Sequence, residues 1–138
     1  MDLKKLLVAA VVVGVVVNVF DYVVHGLILA GTYEGLAVIR QDASLGMLVF
    51  GDFVAALVLV WVYARVYDSF GGGTAAGARF GFYAGVLISF PTFIFDNLLL
   101  VDFPYSLSWT WTVTGILWGV VAGTTAGAMY KKGSAAVV

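Results

Sequence analysis

The chain has no cysteine, two prolines and a single histidine in 138 residues, and only 11% of it is charged. Without cysteine, disulfide, thioether and thiolate-metal chemistry are excluded. One histidine is fewer than most catalytic metal sites use. Charge this sparse offers no basic surface for nucleic acid, and a net charge of -1 favours no class of charged partner. Catalytic signatures are missing as well. Gly71-Gly72-Gly73 has neither the preceding strand nor the Lys-Ser/Thr pair of a phosphate-binding loop. Ser89, Ser106 and Ser108 have no base locked beside them by spacing, so the sequence points away from a nucleophilic enzyme.

What the chain does have is apolar bulk. Hydrophobic residues make up 62% of it and the mean hydropathy is +1.05, against roughly 45–50% apolar residues in soluble domains. Four apolar stretches, 6–30, 45–66, 74–100 and 106–130, each reach the roughly 20 residues that a helix needs to cross ~30 Å of hydrocarbon. The sequence therefore predicts an all-α, polytopic membrane protein: one four-helix transmembrane domain over 1–138, in an up-down bundle within the lipid bilayer. The first stretch does not read as a cleaved signal peptide, because no small-x-small site follows Val17. Lys4, Lys5, Arg65, Arg79, Lys131 and Lys132 fall on one side of this topology and only Arg40 on the other, which places both termini in the cytoplasm. Trp61, Tyr63, Arg65 and Tyr67 suit an inner interfacial collar, and Trp109 and Trp111 an outer aromatic belt. Asp42 or Ser44 is suited to cap the second span, and Ser106 or Ser108 the fourth. The small apolar tail 133–138 is expected to fray.

Against this background the polar residues stand out. Asn18, Asp21, Tyr22 and His25 are spaced 0, 3, 4 and 7, which puts them on one face of the first helix. Asp52 lies in the second span, and Asp96 and Asn97 in the third. At 1.5 Å per residue, Asp21 is about 22 Å above Leu6, Asp96 about 24 Å above Phe80 and Asp52 about 10 Å below Leu45, so the three carboxyls share an outer layer. An aspartate at mid-membrane costs about 2.5 to 3.5 kcal/mol, and no Lys or Arg of this layer offsets it. The expected remedies are protonation, a bound cation or a hydrated vestibule. Asp21 and His25, at i and i+4, can pair when the histidine is protonated. A transition metal would draw on Asp21, His25, Asp52 and Asp96, since imidazole and carboxylates suit such ions.

Small residues form a second pattern. Gly77, Gly81 and Gly85 recur every four residues in the third span, as do Gly115, Gly119, Gly123 and Gly127 in the fourth. Such stripes let helices approach closely in lipid. They predict either a tight hairpin, closed at the cytoplasmic end and splayed beyond Pro91, or a homodimer seam.

A polar face on the first span followed by three plainer spans resembles the small four-span inner-membrane proteins that bacterial genomes encode in number. The resemblance implies a multi-pass location in the bacterial cytoplasmic membrane and carries no activity with it. The sequence departs from the small multidrug transporters, which place one essential Glu in the first span, and from the polar pore pattern of fluoride channels. Three readings of function follow. Asn18, Asp21, Tyr22, His25, Asp52, Asp96 and Asn97 bind a proton or cation in coupled permeation of a small solute, in a homo-oligomer. Alternatively, the chain is a non-catalytic accessory subunit of a larger membrane complex, or a membrane metalloenzyme acting on a lipid or quinone.

Overall fold

Hydrocarbon gives the backbone no hydrogen-bonding partner but itself, and in a computed structural model describing residues 2–131 every regular element is a helix. Lys132, one of the expected cytoplasmic anchors, and the tail 133–138 lie outside the described residues. Helix α1 runs Leu3–Asp21 and continues without a break as π-helix over Tyr22–Ile28; a short α2 follows at Ala30–Tyr33. The remaining helices are α3 (Leu45–Phe70), α4 (Gly73–Leu99) and α5 (Tyr105–Met129). Four of these rods are long and apolar enough to cross a membrane: Leu3–Ile28, Leu45–Phe70, Gly73–Leu99 and Tyr105–Met129. Their outward side chains agree, with Leu87 and Leu98 each 75% exposed. The chain is a multi-pass membrane protein.

Local chemistry sets the ends. The Asp2 side chain accepts from the Lys5 N–H at 3.1 Å, and Ser44, the second of two expected caps, accepts from the Met47 N–H at 3.4 Å. Helix α3 extends four residues past the expected 66 and stops at Gly71, whose φ of 87° is a left-handed cap that a side chain would strain. The expected cap of α5 is not there. Pro104 starts that helix with its fixed φ and no side-chain bond, so Ser106 and Ser108 sit inside α5.

The densest packing is between α4 and α5, and here both glycine stripes are used. A methyl group on Gly81 would overlap the carbonyl oxygen of Gly119, and one on Gly123 would overlap that of Gly77. Backbone therefore lies on backbone along the half of the hairpin nearer the chain termini. This corrects the homodimer seam: each stripe is covered by the other within one chain, and a second copy would have to use a different surface. Beyond Gly85 the hairpin widens around Phe93 and Trp109, whose ring centroids are 4.5 Å apart.

Helix α1 packs on α3 and α5, and Leu6, Ala9, Val13 and Val17 meet Val60, Tyr63, Ala122, Ala126 and Tyr130 in a core near the termini. Tyr63 belongs to this core and not to the interfacial collar. It is 0% exposed and donates to the Gly73 carbonyl at 3.1 Å. Trp61, 44% exposed beneath the Arg65 guanidinium, keeps the collar position.

Candidate functional site

The end of the bundle away from the termini is built differently. Gly14 of α1 leaves room for the ring of Phe53 on α3, since any side chain there would collide with it. Above this contact the two helices diverge around a cavity of about 860 Å³. Its walls are Val15, Val19, Leu45, Leu48, Val49 and Phe53, with Ile39, Arg40 and Ala43 of the connecting loop above them. Asn18, Asp21, His25 and Asp52 supply its polar lining.

Asp21 is the centre of the polar group. Its Oδ2 accepts from Trp118 Nε1 on α5 at 2.9 Å, and its Oδ1 is 3.9 Å from His25 Nε2. The second distance is ion-pair reach, too long for a hydrogen bond. Asp52 brings its carboxyl into hydrogen-bonding range of Asp21. Two carboxyls at that separation repel when both are ionised and bond when one carries a proton. Arg40, the cation nearest in the lining, is spread over the exposed loop beside Asp42 at 3.9 Å. Among the described residues no Lys or Arg forms an ion pair with Asp21 or Asp52.

His25 owes its position to the π-turn. Each π-turn takes in one residue more than an α-turn, and Leu29 closes the segment by donating to the Val24 carbonyl. The chain then folds back through α2, bringing the Tyr33 hydroxyl to His25 Nδ1 at 2.5 Å with the rings stacked at 6.0 Å. Tyr33 also accepts from Trp111 Nε1 at 2.9 Å. An indole N–H can only donate, so the phenol oxygen accepts it, and its own hydrogen is free to go to Nδ1. With the phenol donating, neutral His25 carries its ring hydrogen on Nε2, the nitrogen facing Asp21. Burial holds the Tyr33 phenol above its ordinary range, and the Trp111 hydrogen bond partly opposes this.

The face expected of four residues is thus divided. Asp21 and His25 turn into the network; Asn18 lines the cavity but donates to the Gly14 carbonyl at 2.8 Å; Tyr22 stays at the rim, 62% exposed. Asp52 joins from α3 as the depth argument implied. Asp96 and Asn97 do not join. Asn97 donates to its own helix at Phe93, and Asp96 lines a separate cleft between α4 and α5. The reason is rotational: Asp96 follows Gly85 by eleven residues, about three full turns, and so shares the face that meets α5. The four-residue metal set is therefore not assembled, and among the described residues no group of three or more His, Cys, Asp or Glu side chains is arranged to hold a metal ion.

The sequence pattern singles out neither Tyr33 nor Trp118, and it gives no sign of the Trp111 contact with Tyr33. Trp118 carried a usable signal. An indole in mid-span, far from either interface, needs an acceptor, and 118 lies seven residues, two turns, from Trp111 on the same face. Comparison with family models, with curated proteins and with solved structures finds no match to this chain.

Proposed function

We propose that the protein exchanges a proton or cation at Asp21 and Asp52, beside His25, and couples this exchange to passage of a small solute through the cavity between α1 and α3. The observation that carries the reading is the meeting of two carboxyls, from different helices and with no Lys or Arg paired to them among the described residues, on the lining of an apolar cavity of about 860 Å³. Ionisable groups inside a membrane span mark ion or proton pathways, and this volume lies in the range of small-molecule sites, about 300–1,000 Å³. The walls favour a solute with an apolar body, and the acid pair favours a basic head. Binding such a head displaces the proton that the two carboxyls share, and its release restores it.

The charge count supports termini in the cytoplasm and a cavity in the outer half of the membrane, and the resemblance to small four-span proteins favours a bacterial inner membrane. His25, held by Tyr33 and turned with Nε2–H toward Asp21, is the group through which protons reach the acid pair from the loop side.

The test uses proteoliposomes with a trapped pH indicator and an imposed proton gradient, challenged with a panel of lipophilic amines. Wild-type protein collapses the gradient with at least one amine faster than empty liposomes do, and Asp52→Asn does not. Gradient collapse by Asp21→Asn and Asp52→Asn at the wild-type rate would reject the reading.

A further inference from the structure

The two glycine stripes continue toward the far end of the hairpin with their spacing kept and their chemistry changed. On α4, Gly85 is followed on the same face by Ser89, Thr92 and Asp96, at steps of four, three and four residues. On α5, Gly115 is preceded on its face by Thr112 and Ser108. Where the glycines end, hydroxyl and carboxyl oxygens take their place, and the seam opens into a cleft of about 160 Å³ lined by these five residues among apolar and aromatic neighbours.

Three observations give the cleft a chemical character. Thr92 donates its hydroxyl hydrogen to the Ile88 carbonyl at 2.9 Å, and Thr112 donates its own to the Ser108 carbonyl at 2.8 Å, which leaves both oxygens only lone pairs to offer. Ser108 is 0% exposed, and its Oγ is, among the described residues, the buried side-chain polar atom with no hydrogen-bond partner. Buried polar groups are almost always satisfied, so an orphan on the lining of a polar cleft indicates something absent from the protein itself. Asp96, finally, has no ion-pair partner among the described residues, and no Lys, Arg or His lines the cleft.

The set is thus rich in oxygen acceptors and carries one negative charge. Hard cations take such ligands, and a single carboxylate balances a single positive charge. Access is direct: Asp96 is three residues from the end of α4 and Ser108 three from the start of α5, so the cleft opens where the hairpin leaves the membrane. We propose that this cleft binds a monovalent alkali cation, sodium, through Asp96 and the hydroxyl oxygens of Ser89, Thr92, Ser108 and Thr112. Trp111, whose N–H is committed to Tyr33, lines the cleft and stands between it and the Asp21 cluster.

Thermal unfolding of the full chain in detergent micelles, in sodium chloride and in choline chloride of equal ionic strength, tests the site. Sodium raises the wild-type Tm by a saturable increment; Asp96→Asn loses the increment, and Asp21→Asn keeps it. Ser108→Ala leaves the Tm in choline unchanged or higher, because an orphan hydroxyl is removed, and raises the sodium concentration needed for half the increment. Equal Tm values in the two salts, an increment that survives Asp96→Asn, or one abolished by Asp21→Asn would each overturn the proposal. Should Asp96→Asn not fold, saturable binding of radioactive sodium to the wild-type protein decides instead, and its absence overturns the site.

Discussion

The α4–α5 seam and the α1–α3 pairing are both contacts between neighbouring antiparallel helices in the same membrane, yet one is closed to the backbone and the other holds a ligand-sized space. In lipid an apolar side chain gains little by exchanging a hydrocarbon neighbour for a helix, so the distance of approach decides how strongly two helices hold together. Six glycines, Gly77, Gly81, Gly85, Gly119, Gly123 and Gly127, let α4 and α5 touch along their terminus-proximal halves. Between α1 and α3 a single glycine, Gly14, admits one ring, and the valines and leucines above it hold the helices apart. Stability is concentrated in the first contact and room for chemistry in the second. The division of labour can be tested from either side.

The largest effect is expected at the seam. Gly81→Val drives a branched side chain into the Gly119 carbonyl and should cost about 3 kcal/mol, the upper range for overpacking, read as a shift in the unfolding midpoint during titration with a denaturing detergent. Next comes Trp118→Phe, which takes from Asp21 its one indole donor. Hydrogen bonds to charged groups are worth about 1.5–3 kcal/mol, and the loss should appear in stability as well as in gradient collapse. Tyr33→Phe breaks two bonds of a half-buried chain at the loop end. About 1 kcal/mol of stability is expected to go, and proton transfer to slow by more than that loss explains. Leu48→Trp fills open space and should change stability by less than about 1 kcal/mol while abolishing solute-linked gradient collapse; a loss of fold here would show that the cavity walls are as tightly packed as the seam. The smallest signal is spectroscopic. Because burial raises the folded pKa of Tyr33, its phenol stays protonated beyond the ordinary value near 10. The stability linked to that proton is complete below the unfolded pKa and declines as pH rises through the folded one. The ultraviolet titration difference between wild type and Tyr33→Phe should therefore lie on the alkaline side of a free tyrosine.

The spans and the hairpin could be read from the chain because both rest on one-dimensional rules: apolar length against bilayer thickness, and one small residue per turn. The depth of Asp21 and Asp52 followed from the same arithmetic, and the structure brings these two together. Depth alone misplaced Asp96, since it ignores rotation about the helix axis. The glycine stripe of α4 already contained that angle, with Gly85 and Asp96 three turns apart. Tyr33 and the π-turn were out of reach for a different reason. Both depend on how α2 folds back over His25, a tertiary event that no periodicity in the segment records. The belt position of Trp111 follows from residue type, and the structure adds what residue type does not tell, that its N–H is bound by Tyr33 at the loop end.

The π-turn over Tyr22–Ile28 has a consequence for how this chain tolerates change in length. A helix with such a turn holds one residue more than an unbroken α-helix of the same register below and above it. Removing Val23 or Val24 would let the segment return to the ordinary repeat, leave hydrophobicity, span length and the register on either side nearly untouched, and bring His25 from four residues to three beyond Asp21. A relative of this protein that keeps the histidine, the aspartate and the tyrosine but is one residue shorter between Asp21 and Tyr33 would carry the same side chains on an unbroken α-helix, where positions three and four apart are both neighbours.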